Sequence, residues 1–174
     1  MSATADAPVN TATNTNTAMN TAMNTPTTEM LDDTTLMIRR VFKADIQRLW
    51  RALTDPAAWM QWIDANMATP QRTDADLRVG GAWYIEMKGN ETGNPHNVKG
   101  EFVEVDAPNK VSFTWAWYSD PEAVSLVTYA LKDLGDGTTS MTLTHTRFAT
   151  TDMRNGHAMG WNGSLDTLEK LLAA

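Results

Sequence analysis

Residues 125–146 read Ser125-Leu-Val-Thr-Tyr-Ala-Leu-Lys-Asp-Leu-Gly-Asp-Gly-Thr-Thr-Ser-Met-Thr-Leu-Thr-His-Thr146, and residues 161–172 read Trp161-Asn-Gly-Ser-Leu-Asp-Thr-Leu-Glu-Lys-Leu-Leu172. The first stretch has period two. Val127, Tyr129 and Leu131 share one face of a strand, and Met141, Leu143 and His145 share one face of the next. Gly135-Asp136-Gly137 between the runs signals a hairpin. In the second stretch Trp161, Leu165, Leu168 and Leu172 recur at i, i+4, i+7 and i+11, the spacing of one buried helical face. A β-hairpin followed by a long terminal helix, expected to start at a cap on Thr151 or Asp152, predicts segregated strands and helices rather than βαβ alternation.

Working back along the chain, period two recurs over residues 97–105 and 110–117, where Val111, Phe113, Trp115 and Trp117 fall on one face. It recurs again at Trp83, Ile85 and Met87, after Gly80-Gly81. Upstream lie two short helices. Asp45 is placed to cap one with Ile46, Leu49, Trp50 and Leu53 on its buried side, and Thr54-Asp55-Pro56 ends it and starts a second bearing Trp59 and Trp62. A first strand occupies residues 34–42. The expected fold is therefore α+β: a curved antiparallel sheet of about six to seven strands wrapped around a long C-terminal helix, with two short helices after the first strand. Gly156, Gly160 and Gly163 weaken a helix interior. They are expected where the last helix bends or approaches another backbone closely.

Composition excludes several classes of function. The 174 residues carry a net charge of −7 and no cysteine. Thiolate chemistry and disulfides are ruled out, and the absence of cysteine fits a reducing compartment, read here as the cytoplasm. With Arg39-Arg40 as the longest basic run, no nucleic-acid surface is expected. No window approaches the ~18 apolar residues of a membrane span. Residues 1–33 hold four acids and no base, and Asn16-Thr-Ala-Met19 repeats as Asn20-Thr-Ala-Met23. Segments so poor in apolar residues do not offset the entropy of ordering, so residues 1–33 are expected to be a disordered tail and residues 34–174 one domain.

Five blocks also carry a resemblance: Thr54-Asp55-Pro56 with Trp62; Asp76-Leu-Arg-Val-Gly-Gly-Ala-Trp83; Gly100-Glu-Phe-Val-Glu-Val105 before Pro108; Gly137-Thr138 to His145; and His157-Ala-Met-Gly-Trp161 before the Leu-rich helix. In order and spacing they resemble the SRPBCC, or START-like, superfamily, in the branch named after the activator of the heat-shock-protein-ninety ATPase. The resemblance spans about residues 34–172. It implies a helix-grip fold, an incomplete antiparallel barrel holding a C-terminal helix, often with a cavity between them. Two positions depart from the family pattern: Ala44-Asp45 stands where the family has Ala-Pro, and Ile63 where it has a second Trp.

Fold does not fix function, which must come from side chains on the inner face. The candidate ligand-binding residues are Trp83, Ile85, Met87, Phe113, Trp115, Trp117, Tyr129, Met141, His145 and Met159, with Leu143 and Trp161 beside them. Ordinary core packing would also place them there. Rigid tryptophan rings leave gaps, however, and methionine adapts to irregular ligands. His145 and Tyr129 are the candidate catalytic pair, an imidazole and a phenol suited to moving a proton. His157 is expected near the cavity mouth or in solvent, and His96 in a surface loop. The three His lack metal-ligand spacing, so no metal and no cofactor are expected. Three readings follow: a carrier or sensor of a small hydrophobic molecule, aromatic or lipid-like; a cyclase or isomerase using His145 and Tyr129; and a module that binds a protein partner, with the interior merely packed.

Overall fold

The computed structural model describes residues 25–64 and 66–174. In chain order it contains β1 (Thr27–Asp32), β2 (Thr35–Phe42), α1 (Ile46–Thr54), α2 (Pro56–Trp62), β3 (Ala68–Ala75), β4 (Ala82–Gly89), β5 (Val98–Asp106), β6 (Lys110–Trp117), β7 (Asp120–Asp133), β8 (Thr139–Thr146) and α3 (Thr151–Ala173). The strands form one antiparallel sheet in the order β1-β2-β8-β7-β6-β5-β4-β3. From β3 to β8 the chain meanders between neighbours. β2 lies beside β8, at the other side of the sheet from β3, so the segment carrying α1 and α2 must cross between them.

Caps set the helix ends. The Asp45 side chain accepts from the Arg48 N–H at 2.8 Å, and the Asp55 side chain accepts from the Ala57 N–H at 2.9 Å while its own N–H closes α1 on the Arg51 carbonyl. One residue thus ends a helix and begins the next. α3 is capped by Thr150, whose hydroxyl accepts from the Met153 N–H. The expected cap at Thr151 or Asp152 is one or two residues late, because Thr150 is the last extended residue.

The sheet has eight strands, where about six to seven were expected. The two additions, β1 and β3, are its edges. Neither is apolar: β1 is exposed at nearly every position and β3 at half of them, so alternation could not reveal them. Pro70 sits at a register shift in β3, where its missing N–H is tolerated. β1 moves the start of order ahead of Thr34, into the segment expected to be disordered. It is held by its ladder to β2, by a turn in which Asp32 accepts from both the N–H and the hydroxyl of Thr34, and by an Arg39–Glu29 ion pair. The rest of the expected tail, residues 1–24, lies outside the described residues.

One face of the sheet packs on α3, burying Trp161, Leu165, Leu168 and Leu172 against Leu36, Ile38, Met141 and Leu143. The helix is also fastened by charge. Arg40, buried on β2, donates to Asp166 Oδ1 at 2.6 Å and to Asn162 Oδ1 at 2.9 Å, and Arg48 donates to the Leu172 carbonyl at 2.9 Å. α1 and α2 are joined by indole hydrogen bonds: the Trp59 and Trp62 N–H groups donate to the carbonyls of Leu53 and Ala52.

Candidate functional site

Between α3 and the sheet lies a cavity of about 290 Å³. α3 contributes Met153, Gly156, His157, Gly160, Trp161 and Ser164; the turn after α2 contributes Ile63, Asp64 and Met67; and the sheet side contributes Met87, His96, Trp115 and Trp117. A Cβ added at Gly156 would meet nothing within 4 Å, and one at Gly160 would meet only Asp64 Oδ1 at 3.9 Å. Glycine at these positions, one helical turn apart, therefore leaves room. This corrects the expectation of a close backbone approach. At Gly163 the close neighbour is the Asn66 side chain, not a backbone.

The sequence-predicted residues divide into three sets. Met87, Trp115 and Trp117 line the cavity. Trp83, Ile85, Phe113 and Tyr129 surround a gap of only about 10 Å³ on the far side of Trp115, and Met141 and His145 are fully buried; these are packed core, not cavity wall. The rings there interlock edge to face, with Trp83 5.4 Å from Phe113 and Phe113 5.4 Å from Tyr129. Met159 is 71% exposed and points away from the cavity, since two residues of helix turn it to the side opposite Trp161.

Neither His145 nor Tyr129 lines the cavity. Trp161 Nε1 donates to His145 Nδ1 at 3.0 Å, so the ring proton sits on Nε2, which donates to Ser125 Oγ at 2.7 Å; that hydroxyl in turn donates to the Trp115 carbonyl. Both imidazole nitrogens are thereby used. Burial, with the nearby His157, holds the His145 pKa well below the ordinary histidine value, and burial raises the Tyr129 phenol far above its usual range.

His157 does line the cavity. Its Nδ1 donates to the Met153 carbonyl at 2.7 Å and its Nε2 accepts from Trp117 Nε1 at 3.1 Å. Burial is the main cause lowering its pKa, opposed by the Met153 carbonyl and the Asp64 charge.

Among the wall residues that escaped the sequence reading are His96 and Asp64. His96 was expected in a surface loop, yet its backbone N–H donates to the Met87 carbonyl, folding the β4–β5 connection back so that the imidazole packs tilted against Trp117, ring centroids 4.3 Å apart. Its Nε2 lies 3.1 Å from Oδ2 of Asp64, a carboxylate only 12% exposed. Asp64 follows the end of α2 with φ +51°, a left-handed conformation that Asp tolerates. Its backbone N–H donates to Ser164 Oγ at 2.8 Å, tying the turn to α3. An Asp just past a helix end was the available signal; its meeting with His96 was not legible. Among the described residues no cluster of three His, Asp or Glu side chains could hold a metal, and no helix is long and apolar enough to cross a membrane.

An eight-stranded antiparallel sheet packed on a C-terminal helix, with a cavity between them, defines a helix-grip protein of the SRPBCC type. The chain belongs to the family described as Activator of Hsp90 ATPase homolog 1-like protein, which matches residues 43–173. Among solved structures it is similar to the AHSA1 protein of Silicibacter pomeroyi, at 28% identity and a TM-score of 0.70, over 80% of this chain and 97% of that one. It is also similar to a Mycobacterium smegmatis protein at 28% identity and a TM-score of 0.68, over 86% and 98% of the two chains. A Rhodobacter sphaeroides protein shares the fold at 23% identity and a TM-score of 0.74, over 86% of this chain and 99% of that one. The search of curated proteins returned no significant match.

Proposed function

We propose that the protein binds a small hydrophobic, aromatic molecule between α3 and the sheet, as a carrier or sensor. The observation that carries this reading is the cavity itself: about 290 Å³ walled by Trp115, Trp117, Trp161, Met67, Met87 and Met153. That volume is at the lower end of the range for ligand pockets, ~300–1,000 Å³, whereas packed interiors hold few voids larger than a water molecule. Flat rings and pliable thioethers suit an aromatic guest. The catalytic alternative has little support, since both nitrogens of His145 are engaged within the core.

An apolar fluorescent probe titrated into the full chain tests the reading. Saturation at one probe per chain with a change in tryptophan emission is the expected result, and Met87→Trp, which fills the space, should abolish it with little loss of stability. Weak binding that never saturates would overturn the carrier reading. The partner-binding role suggested by the family's name would then stand in its place.

A further inference from the structure

Resting on the ligand-site reading above, we infer that the guest is an aromatic hydroxyl compound of the phenol or naphthol class, its hydroxyl held between Asp64 and Ser164 and its rings against Trp117, Trp115 and Trp161. The argument is an accounting of polar atoms. Inside a largely apolar cavity, each polar group must find a partner or meet the guest.

Most of them are already satisfied by the protein. Trp161 Nε1 is used by His145, Trp117 Nε1 by His157, and both nitrogens of His157 are occupied. The Trp115 ring nitrogen has no partner, but it is buried away from accessible surface. His96, 36% exposed, stands where water reaches it.

Two complementary positions remain open. Asp64 Oδ2 faces His96, while Oδ1 has no hydrogen bond among the described residues and lies beside Gly160 on the cavity wall. Ser164 Oγ accepts from the Asp64 N–H, and its own hydroxyl hydrogen has no acceptor among the described residues. The cavity wall thus carries a carboxylate oxygen without a donor and a hydroxyl without an acceptor, on two residues joined by the Asp64 N–H···Oγ bond. A phenolic hydroxyl is both at once. An ammonium group cannot accept, an ether cannot donate, and a carboxylate guest would meet the Asp64 charge with no Lys or Arg on the wall to offset it.

Binding of β-naphthol, its methyl ether and naphthoate to the full chain, followed by tryptophan fluorescence and calorimetry, decides the matter. β-Naphthol should bind about tenfold or more tightly than the ether, the effect of a hydrogen bond to a charged group, and naphthoate more weakly than either. Asp64→Gly keeps the positive φ and removes the carboxylate. It should bring naphthol and ether to within about threefold of each other, with saturable ether binding and a cooperative thermal transition showing that the variant is folded. Equal affinities for naphthol and ether in the parent, or a preference that survives in Asp64→Gly, overturns this inference and leaves the cavity reading intact. Failure of all three compounds to saturate overturns both.

Discussion

Trp161 and His145 are joined by a hydrogen bond of 3.0 Å from the indole N–H to Nδ1, and this bond decides where the imidazole carries its proton. With Nδ1 occupied as an acceptor, the ring must be the neutral Nε2–H form, and the chain continues through Ser125 to the Trp115 carbonyl. α3, β8, β7 and β6 are linked by it in a region without solvent.

Trp161→Phe keeps most of the ring and removes the donor. It should cost about 1–3 kcal/mol, the penalty for leaving a buried acceptor unpaired, as measured by denaturant unfolding. Trp161→Ala, which also removes the ring, should cost about 3–5 kcal/mol. If the Phe variant matches the parent, the hydrogen bond contributes nothing to stability.

Stability should fall as pH drops below the ordinary histidine range. Burial lowers the pKa of both His145 and His157 in the native state, so the unfolded chain binds more protons over that interval. Their contribution is fully present above about pH 6.5 and is lost as pH falls toward the native values, with a slope no steeper than about 1.4 kcal/mol per unit for each ring. Protonation would also set Nδ1–H of His145 against the Trp161 N–H. Melting temperatures from pH 8 to pH 5 check this; a flat profile through that interval would contradict the assigned neutral forms.

Gly156→Ala should stabilise by up to about 1 kcal/mol, since it removes the helical penalty of glycine and its Cβ meets open space. Gly160→Leu should keep the fold but place its side chain in the cavity, abolishing probe binding. Thermal unfolding and probe titration of the two variants separate helix energetics from cavity volume.

Removal of residues 1–33 should lower the melting temperature, although the composition of residues 1–30 predicts no change on their deletion. The deletion takes away β1 with its ladder, the Thr28–Asn162 bond and the Asp32 carbonyl that accepts from Arg154, and it bares β2 as an unpaired edge. Increased self-association of the truncated chain, seen by light scattering, is the second expected result.

The sequence by itself determined the α+β class, the two capped helices, the inner strands and the buried stripe of α3, because each depends on apolar periodicity or cap chemistry readable within about ten residues. The aromatic wall was legible in part: Trp115 and Trp117 were picked out by alternation on β6. Only the tertiary structure decided the rest. β1 and β3 are ladders at sheet edges, stabilised by backbone pairing that leaves almost no apolar signature. Which inner residues are packed and which face open space depends on volumes contributed from distant elements, so Trp83 fell into the core and Trp117 onto the cavity wall. Asp64 and His96 are 32 residues apart and carry no local pattern; a helix end in the left-handed conformation and a loop folded onto Met87 bring them together. Local periodicity records which face of an element is buried, whereas a binding site is a gap between elements, and a gap has no period.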